Sequence, residues 1–359
     1  MTSARDALLS GLPEGATPAW PGAVLRVRTA GQPPTYEVVG DAVRWQDATS
    51  ELEPSERTAM SAELIFDLAS VTKVFTAVIA LRVAHDHQLS LDSPVGDVLA
   101  PYGEGTRAAV TVRHLLTHTA GLPASLFTHT LPADQRLGAV LSAPLVADPG
   151  SRFAYSCVGF QTLGLWAQAV TGSSLATLLG ELITTPLGLH DTGYTPVANG
   201  VAVERVVPTE WQDEPPRHLV RGEVHDEAAW ALGGVAGNAG IFSTAADLGR
   251  FADLLLAGGT LDGVEVLPAA VHDQLISPQL PEHLTEGYQY GLGVRIGQPS
   301  LTGPSPSAYG HGGFTGTALA VSPEHDATVV LLSHKVHPTR THVGDIAEQR
   351  RAVIDAALG

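Results

Sequence analysis

Apolar and polar positions alternate differently along three stretches of the chain. Residues 22–29 (Gly-Ala-Val-Leu-Arg-Val-Arg-Thr) and 36–40 read as two strands of an antiparallel pair, split by Gly31-Gln32-Pro33-Pro34. Leu64-Ile65-Phe66 then leads into Ser70. From Val71 to Ala84 the run is apolar on nearly every side, the mark of a buried central helix. Ser70 lies at its N-terminus, where free N–H groups and the helix dipole favour negative charge. Helical signals dominate 91–260. They predict a helix at 112–118, preceded by Thr111 and closed by Ala120-Gly121-Leu122-Pro123. Others are predicted at about 158–171, 174–184 and 245–257, the last opened by Ser243-Thr244 and stopped by Gly258-Gly259. Segments 124–150 and 198–241 predict loops that shape a pocket. Strands return at 289–296, 316–322 and 327–333, the last two joined by Pro323-Glu324-His325-Asp326. A helix from about 342 to 358 ends the chain.

Strands at both ends with helices between them predict an α/β enzyme of the α+β type. Its central antiparallel sheet is built from both termini and flanked by helices. Residues 1–90 and 245–359 form a discontinuous sheet lobe in this reading, and 91–244 a mostly helical lobe. The active site of this single catalytic unit falls between them.

Composition narrows the class. The 359 residues, 44% hydrophobic and 16% charged, suffice for a large core. A net charge of −17 disfavours nucleic acid and anionic membranes as partners. The single cysteine, Cys157, excludes an internal disulfide and any multi-cysteine metal site. Residues 1–15 lack the apolar core of a secretory signal, and no apolar run is long enough to span a membrane, so a cytoplasmic location is expected.

The basic residues point to chemistry. Of 20 lysines and arginines only Lys73 and Lys335 are lysine. Arginine supplies a fixed charge but stays protonated, whereas a desolvated lysine can give up its proton. Ser70 and Lys73 are three apart at a helix start and share one face. A serine hydroxyl needs a base within hydrogen-bond reach to become a nucleophile, and a lysine in this apolar helix can be that base. The plainer reading of Ser-x-x-Lys is a capping serine beside an ordinary lysine. Other catalytic patterns are missing from the sequence: there is no Gly-x-Ser-x-Gly and no His-Glu-x-x-His. His85 with His87, and His334 with His337, lack a third ligand at a recognisable offset and read as surface histidines. No metal and no cofactor is expected.

Other segments lift Ser70-Val71-Thr72-Lys73 above a chance match. Phe66–Ala77 around it, Leu115-Leu116-Thr117-His118-Thr119-Ala120-Gly121-Leu122-Pro123, Phe153-Ala154-Tyr155-Ser156, Gly237–Leu248 and Gly310-His311-Gly312-Gly313-Phe314-Thr315-Gly316 follow in order. Together they resemble the class C β-lactamase-like group of penicillin-recognising serine enzymes, from about residue 20 to 335. That group includes class C β-lactamases, DD-peptidases, D-amino-acid-specific peptidases and family VIII carboxylesterases. The resemblance implies a β-lactamase/transpeptidase-like fold and an acyl-enzyme mechanism without metal or cofactor.

By resemblance, Ser70 is the acylated nucleophile, Lys73 its neighbouring amine, and Tyr155 the partner that moves the serine proton. Taken alone, Tyr155 reads better as a core tyrosine with a satisfied hydroxyl. The backbone N–H groups of Ser70 and Phe314 match the oxyanion hole. His311, Gly312 and Gly313 stand where many relatives have Lys-Thr-Gly, and histidine carries a charge only when protonated. Cys157 stands where an asparagine usually contacts the substrate amide, and a thiol hydrogen-bonds poorly. A lone cysteine is more often a small buried hydrophobe than a nucleophile. Both departures favour an ester over a β-lactam or peptide. The expected substrate is a small ester or amide. A β-lactamase, a D-amino-acid-specific peptidase and an acyltransferase using the same acyl-enzyme are the rivals. A catalytically silent relative would lack Ser70, Lys73 or Tyr155, and all three are present.

Overall fold

In the computed structural model, residues 3–15, 18–285, 287–303, 305–342 and 346–358 are described. An eight-stranded antiparallel sheet takes all its strands from the two ends of the chain. Its order is Gln289–Tyr290, Arg295–Ile296, Tyr309–Gly312, Ala318–Ser322, Ala327–Ser333, Gly22–Arg28, Thr35–Val43 and Thr58–Ala59. Gly22–Arg28 pairs with both Ala327–Ser333 and Thr35–Val43, so the first and last strands of the chain lie side by side. The period of two divides the central strands between two cores. Ala23, Leu25, Ala320, Val329 and Leu331 pack with Leu8, Val353 and Ile354 of the terminal helices, Ala4–Ser10 and Ile346–Leu358. Val24, Leu319, Val321, Val330 and Leu332 join Phe75, Leu248 and Phe251 on the opposite face. A one-residue slip would exchange the two sets, which fixes the register.

The central helix, Thr72–Asp86, buries twelve of its 15 residues. Each fully buried large aliphatic side chain there contributes roughly 1.5–3 kcal/mol. Phe75 stacks on Phe251 of the Ala245–Leu256 helix with ring centroids 3.9 Å apart, and the other flank meets the Cys157–Thr171 helix. Both outer helices start where capping chemistry directs. The Thr244 hydroxyl accepts from Asp247 N–H at 3.2 Å and the Ser156 hydroxyl from Gly159 N–H at 3.0 Å. Thr111 caps Val112–Leu116 in the same way.

Several expectations need correction. The strand expected at 289–296 is a hairpin of two short strands, because Gly293 turns the chain in the left-handed region (φ +92°). A Cβ there would lie 2.5 Å from Ala77 Cβ, so the turn rests directly on the central helix. Tyr309–Gly312 is a strand whose pattern the sequence hid. Gly310 passes so close to its neighbour that a Cβ would sit 1.9 Å from the Leu319 carbonyl. The loop expected at 124–150 contains a helix, Ala133–Leu141, on which only Val140 is fully buried, leaving almost no apolar period to read. The helix expected at 174–184 is Leu175–Leu179 followed by a π-helical turn, Gly180–Thr184, and Thr185–Leu187. Segment 198–241 is mainly irregular but holds the Glu227–Ala231 helix. The final helix is Ile346–Leu358; residues 343–345 of the expected start lie outside the described residues. His85 and His87 are exposed, but His334 and His337 are buried with stacked rings 5.3 Å apart. His337 Nε2 accepts the N–H groups of Arg44 and Trp45 at 3.4 and 3.3 Å, which explains a buried polar ring. Among the described residues no helix is long and apolar enough to cross a membrane.

Candidate active site

Ser70 lies on a tight turn, Ala69–Val71, that runs into the Thr72–Asp86 helix. Ala69 before it has φ +46°, a left-handed conformation that costs an alanine about 1–2 kcal/mol. Bonds from separate segments hold the turn in place. Asp67 Oδ1 accepts Ala69 N–H at 2.8 Å and Asp67 Oδ2 accepts His225 N–H at 2.6 Å. Thr315 donates its hydroxyl to the Asp67 carbonyl and Thr317 to the Leu68 carbonyl, each at 2.9 Å. Burial pushes the Asp67 carboxyl above the usual range, against the pull of its two backbone bonds. Gly313 has to be glycine here: a Cβ would meet Thr317 Oγ1 at 2.1 Å and the Leu68 carbonyl at 2.5 Å. The 313–317 turn, with Phe314, is thereby pressed against the residues before Ser70.

Lys73 is wholly buried. Its ammonium donates to Ser70 Oγ at 3.0 Å, to the Asn238 carbonyl at 2.9 Å and to Cys157 Sγ at 3.6 Å. Thr76, one turn on, donates to the Gly237 carbonyl at 2.8 Å, and Thr72 Oγ1 accepts Ile241 N–H at 3.1 Å. One face of the helix therefore fixes the 237–241 loop. Burial disfavours the charge on Lys73. The surroundings reverse this: Cys157, Tyr155 and Asp226 outweigh desolvation and raise its pKa, so the charged form is favoured.

Tyr155 is half-buried in an irregular stretch just before the Cys157–Thr171 helix. Two cations approach its ring, Lys73 Nζ at 5.0 Å and Arg295 at 5.2 Å from the centroid. The His118 ring lies 4.5 Å away and the His311 ring 6.0 Å. His311 is buried, and desolvation first, then the Arg295 and Lys73 charges, hold its pKa well below the usual histidine range. Its Nδ1 faces the Gly312 carbonyl at 2.8 Å. His311 is thus a neutral group, not a stand-in for the lysine of Lys-Thr-Gly. Cys157 is half-buried, and its thiol faces Lys73 rather than a hydrophobic core. Phe314 is 49% exposed; its ring stacks on His225 at 5.6 Å and carries Lys335 and Arg340 at 5.2 and 5.7 Å. Behind it, buried Glu210 accepts from His225 Nε2 at 2.7 Å and from Arg340.

The structure brings Ser70, Lys73, Tyr155 and Cys157 together, with His311 beside Tyr155 and Gly313 against the Ser70 turn. Sequence reasoning missed Asn238, Arg295, Asp67 and His118. Asp67, His118 and Asn238 lie inside the segments that carry the resemblance, but nothing in their type pointed to a role. Arg295 looked like one arginine of a strand.

A family model described as Beta-lactamase matches residues 14–354. The chain belongs to the β-lactamase family. This β-lactamase-family protein is a serine hydrolase by fold. Among curated proteins it is similar to one named "Putative D-alanyl-D-alanine carboxypeptidase" from Escherichia coli (strain K12), 28% identical over 306 residues, covering 76% of this chain and 69% of that protein. Among solved structures it is similar to EstCE1, a hydrolase with promiscuous acyltransferase activity, at a TM-score of 0.74 and 21% identity over 98% of this chain and 97% of that one. A penicillin-binding protein homologue from Caulobacter crescentus has the same TM-score and identity over 99% of this chain and 95% of that one. These two likenesses are of fold.

Proposed function

We propose that this β-lactamase-family protein hydrolyses carboxylic esters through an acyl-enzyme on Ser70. The observation that carries the reading is the Lys73 ammonium, 3.0 Å from Ser70 Oγ in a buried slot beside Tyr155. Ser70 Oγ attacks the ester carbonyl as its proton passes to the Lys73–Tyr155 pair. The pair shares the base role, the Lys73 ammonium stabilising the anionic form of Tyr155 that can take the proton. Backbone N–H groups of Ser70 and Phe314 meet the developing oxyanion. The C–O bond then breaks, the alkoxide takes the proton back, and the alcohol leaves. Water repeats the sequence on the acyl-enzyme and frees the acid.

The choice of ester rests on two neighbours. Cys157 offers an amide no matched donor and acceptor, and neutral His311 offers a carboxylate no fixed charge. A D-amino-acid peptidase is the second reading. The name of the Escherichia coli relative favours it, and the Arg295 guanidinium beside Tyr155 gives it a cation. We assign the protein to the cytoplasm, where an unpaired Cys157 stays reduced.

The test is parallel incubation with a fluorophosphonate, p-nitrophenyl butyrate, a chromogenic cephalosporin and a D-alanyl-D-alanine peptide, each against Ser70→Ala. The ester reading expects phosphonate on Ser70 and p-nitrophenyl butyrate turned over fastest. Wild type that takes up no phosphonate and cleaves no ester would sink it. Faster cleavage of the peptide would favour the second reading.

A further inference from the structure

Tyr155 is on no helix or strand, yet its oxygen must be held to a fraction of an ångström to move a proton. One residue grips the chain on both sides of it. The His118 carbonyl accepts Ala154 N–H at 2.9 Å, and His118 Nδ1 accepts Ser156 N–H at 3.0 Å. Between these bonds the imidazole packs on the Tyr155 ring, centroids 4.5 Å apart and planes tilted by 38°. Ser156 Oγ and Cys157 N–H add bonds to Pro123 and Ala124, but only on the far side of Tyr155.

The tautomer of His118 follows from its partners. The ring is buried, and desolvation, with the Lys73 and Arg295 charges, keeps it neutral. Nδ1 accepts a bond, so the one proton sits on Nε2. That N–H points at Tyr290 Oη, 2.9 Å away. Tyr290 is buried and pairs with Arg295 in the hairpin register. His118 therefore ties the Tyr155 segment to the hairpin that brings Arg295 over the tyrosine ring. His118 also adopts φ +57°, a left-handed conformation that histidine enters more readily than most side chains, and its carbonyl and ring both face the same segment.

We infer that His118 is a positioning residue for Tyr155, acting through the Ala154 and Ser156 amides and the face of the tyrosine ring. The inference rests on Tyr155 serving in the proposed hydrolysis. It gives His118, which is buried, a role apart from that of His311, whose ring lies 6.0 Å from Tyr155.

Two variants test it. In His118→Asn the Oδ1 falls where Nδ1 was and still accepts Ser156 N–H, and asparagine tolerates the left-handed backbone. In His118→Gln the amide reaches the Nε2 position and leaves Ser156 N–H without an acceptor. We expect kcat for p-nitrophenyl butyrate, counted per phosphonate-titrated site, to fall about tenfold in His118→Asn and about 100-fold in His118→Gln. KM should move less than about threefold in either. Hydrogen exchange of the Ser156 amide should quicken in His118→Gln and stay slow in His118→Asn. Equal per-site kcat in the two variants, or a loss confined to the number of titratable sites, would overturn the inference. So would an unchanged Ser156 exchange rate in His118→Gln. Exchange decides the positioning role even if wild type proves inert toward esters, a result that would remove the esterase reading instead.

Discussion

The Ser70 turn and the Tyr155 segment are held by different means. At the turn, bonds arrive from four separate places: the Asp67 carboxylate, the hydroxyls of Thr315 and Thr317, and the Ile241 carbonyl, which accepts Leu68 N–H at 3.0 Å. At the tyrosine, one residue supplies the bonds on both sides and the stacking surface. Loss of one bond among several should lower stability and leave the geometry of the surviving molecules intact. Loss of the main clamp should lower the rate even in the molecules that stay folded. The strained Ala69 explains why the turn needs so many fasteners: its conformation persists only when the surroundings over-determine it.

The largest effect should come where both regions meet. Lys73 bonds Ser70 directly and lies against Tyr155. Lys73→Ala should lower kcat for p-nitrophenyl butyrate at least about 1,000-fold, since groups that act as a unit fail together. Lys73→Arg should fare no better. A planar guanidinium cannot fill a fully buried slot shaped for three partners at 2.9, 3.0 and 3.6 Å. Steady-state kinetics on either variant check this; a loss under about tenfold would mean that the two regions do not share a proton path.

Next comes Glu210, behind Phe314. Burial pushes the Glu210 carboxyl up, but bonds from His225 and Arg340 outweigh it and bring it from its ordinary 4.5 down to about 2. The folded state thus holds this proton less tightly than the unfolded chain. Its stabilisation is complete above pH 4.5 and fades as pH falls toward 2. At neutral pH it is present in full. Glu210→Gln should lose that increment and show a flatter dependence of stability on pH in this window, read by urea unfolding at several pH values. Per-site kcat should change far less, because Glu210 lies behind the nucleophile side. A steep loss of rate with normal stability would break the contrast.

The sheet, its two-ended origin and the buried central helix were legible because period-two and all-apolar runs survive in the sequence. Ser70, Lys73 and Tyr155 were legible as types in order. Tyr309–Gly312 was not, since three glycines in five residues erase the alternation while serving close approach. Arg295 was hidden by the hairpin that Gly293 creates, which no periodicity announces. The surroundings of Lys73 were hidden for a related reason. Local sequence shows the apolar helix that would desolvate it, but not Cys157, Tyr155 and Asp226, which come from distant positions and reverse the outcome.

The smallest effect offers the sharpest test of the contrast. Thr317 is fully buried, and its hydroxyl spans from the sheet to the Leu68 carbonyl at 2.9 Å. Thr317→Val keeps the shape and removes one bond. Leu68 O still accepts Val71 N–H at 3.1 Å, so no carbonyl is orphaned and the cost should stay near about 1 kcal/mol. Melting temperature should drop by about 2 °C and kcat per titrated site should stay within about twofold of wild type. If the turn instead depends on this single hydroxyl, kcat per titrated site will collapse, as expected for His118→Gln. The two regions would then be built alike, and redundancy would not be what holds the strained residue before Ser70.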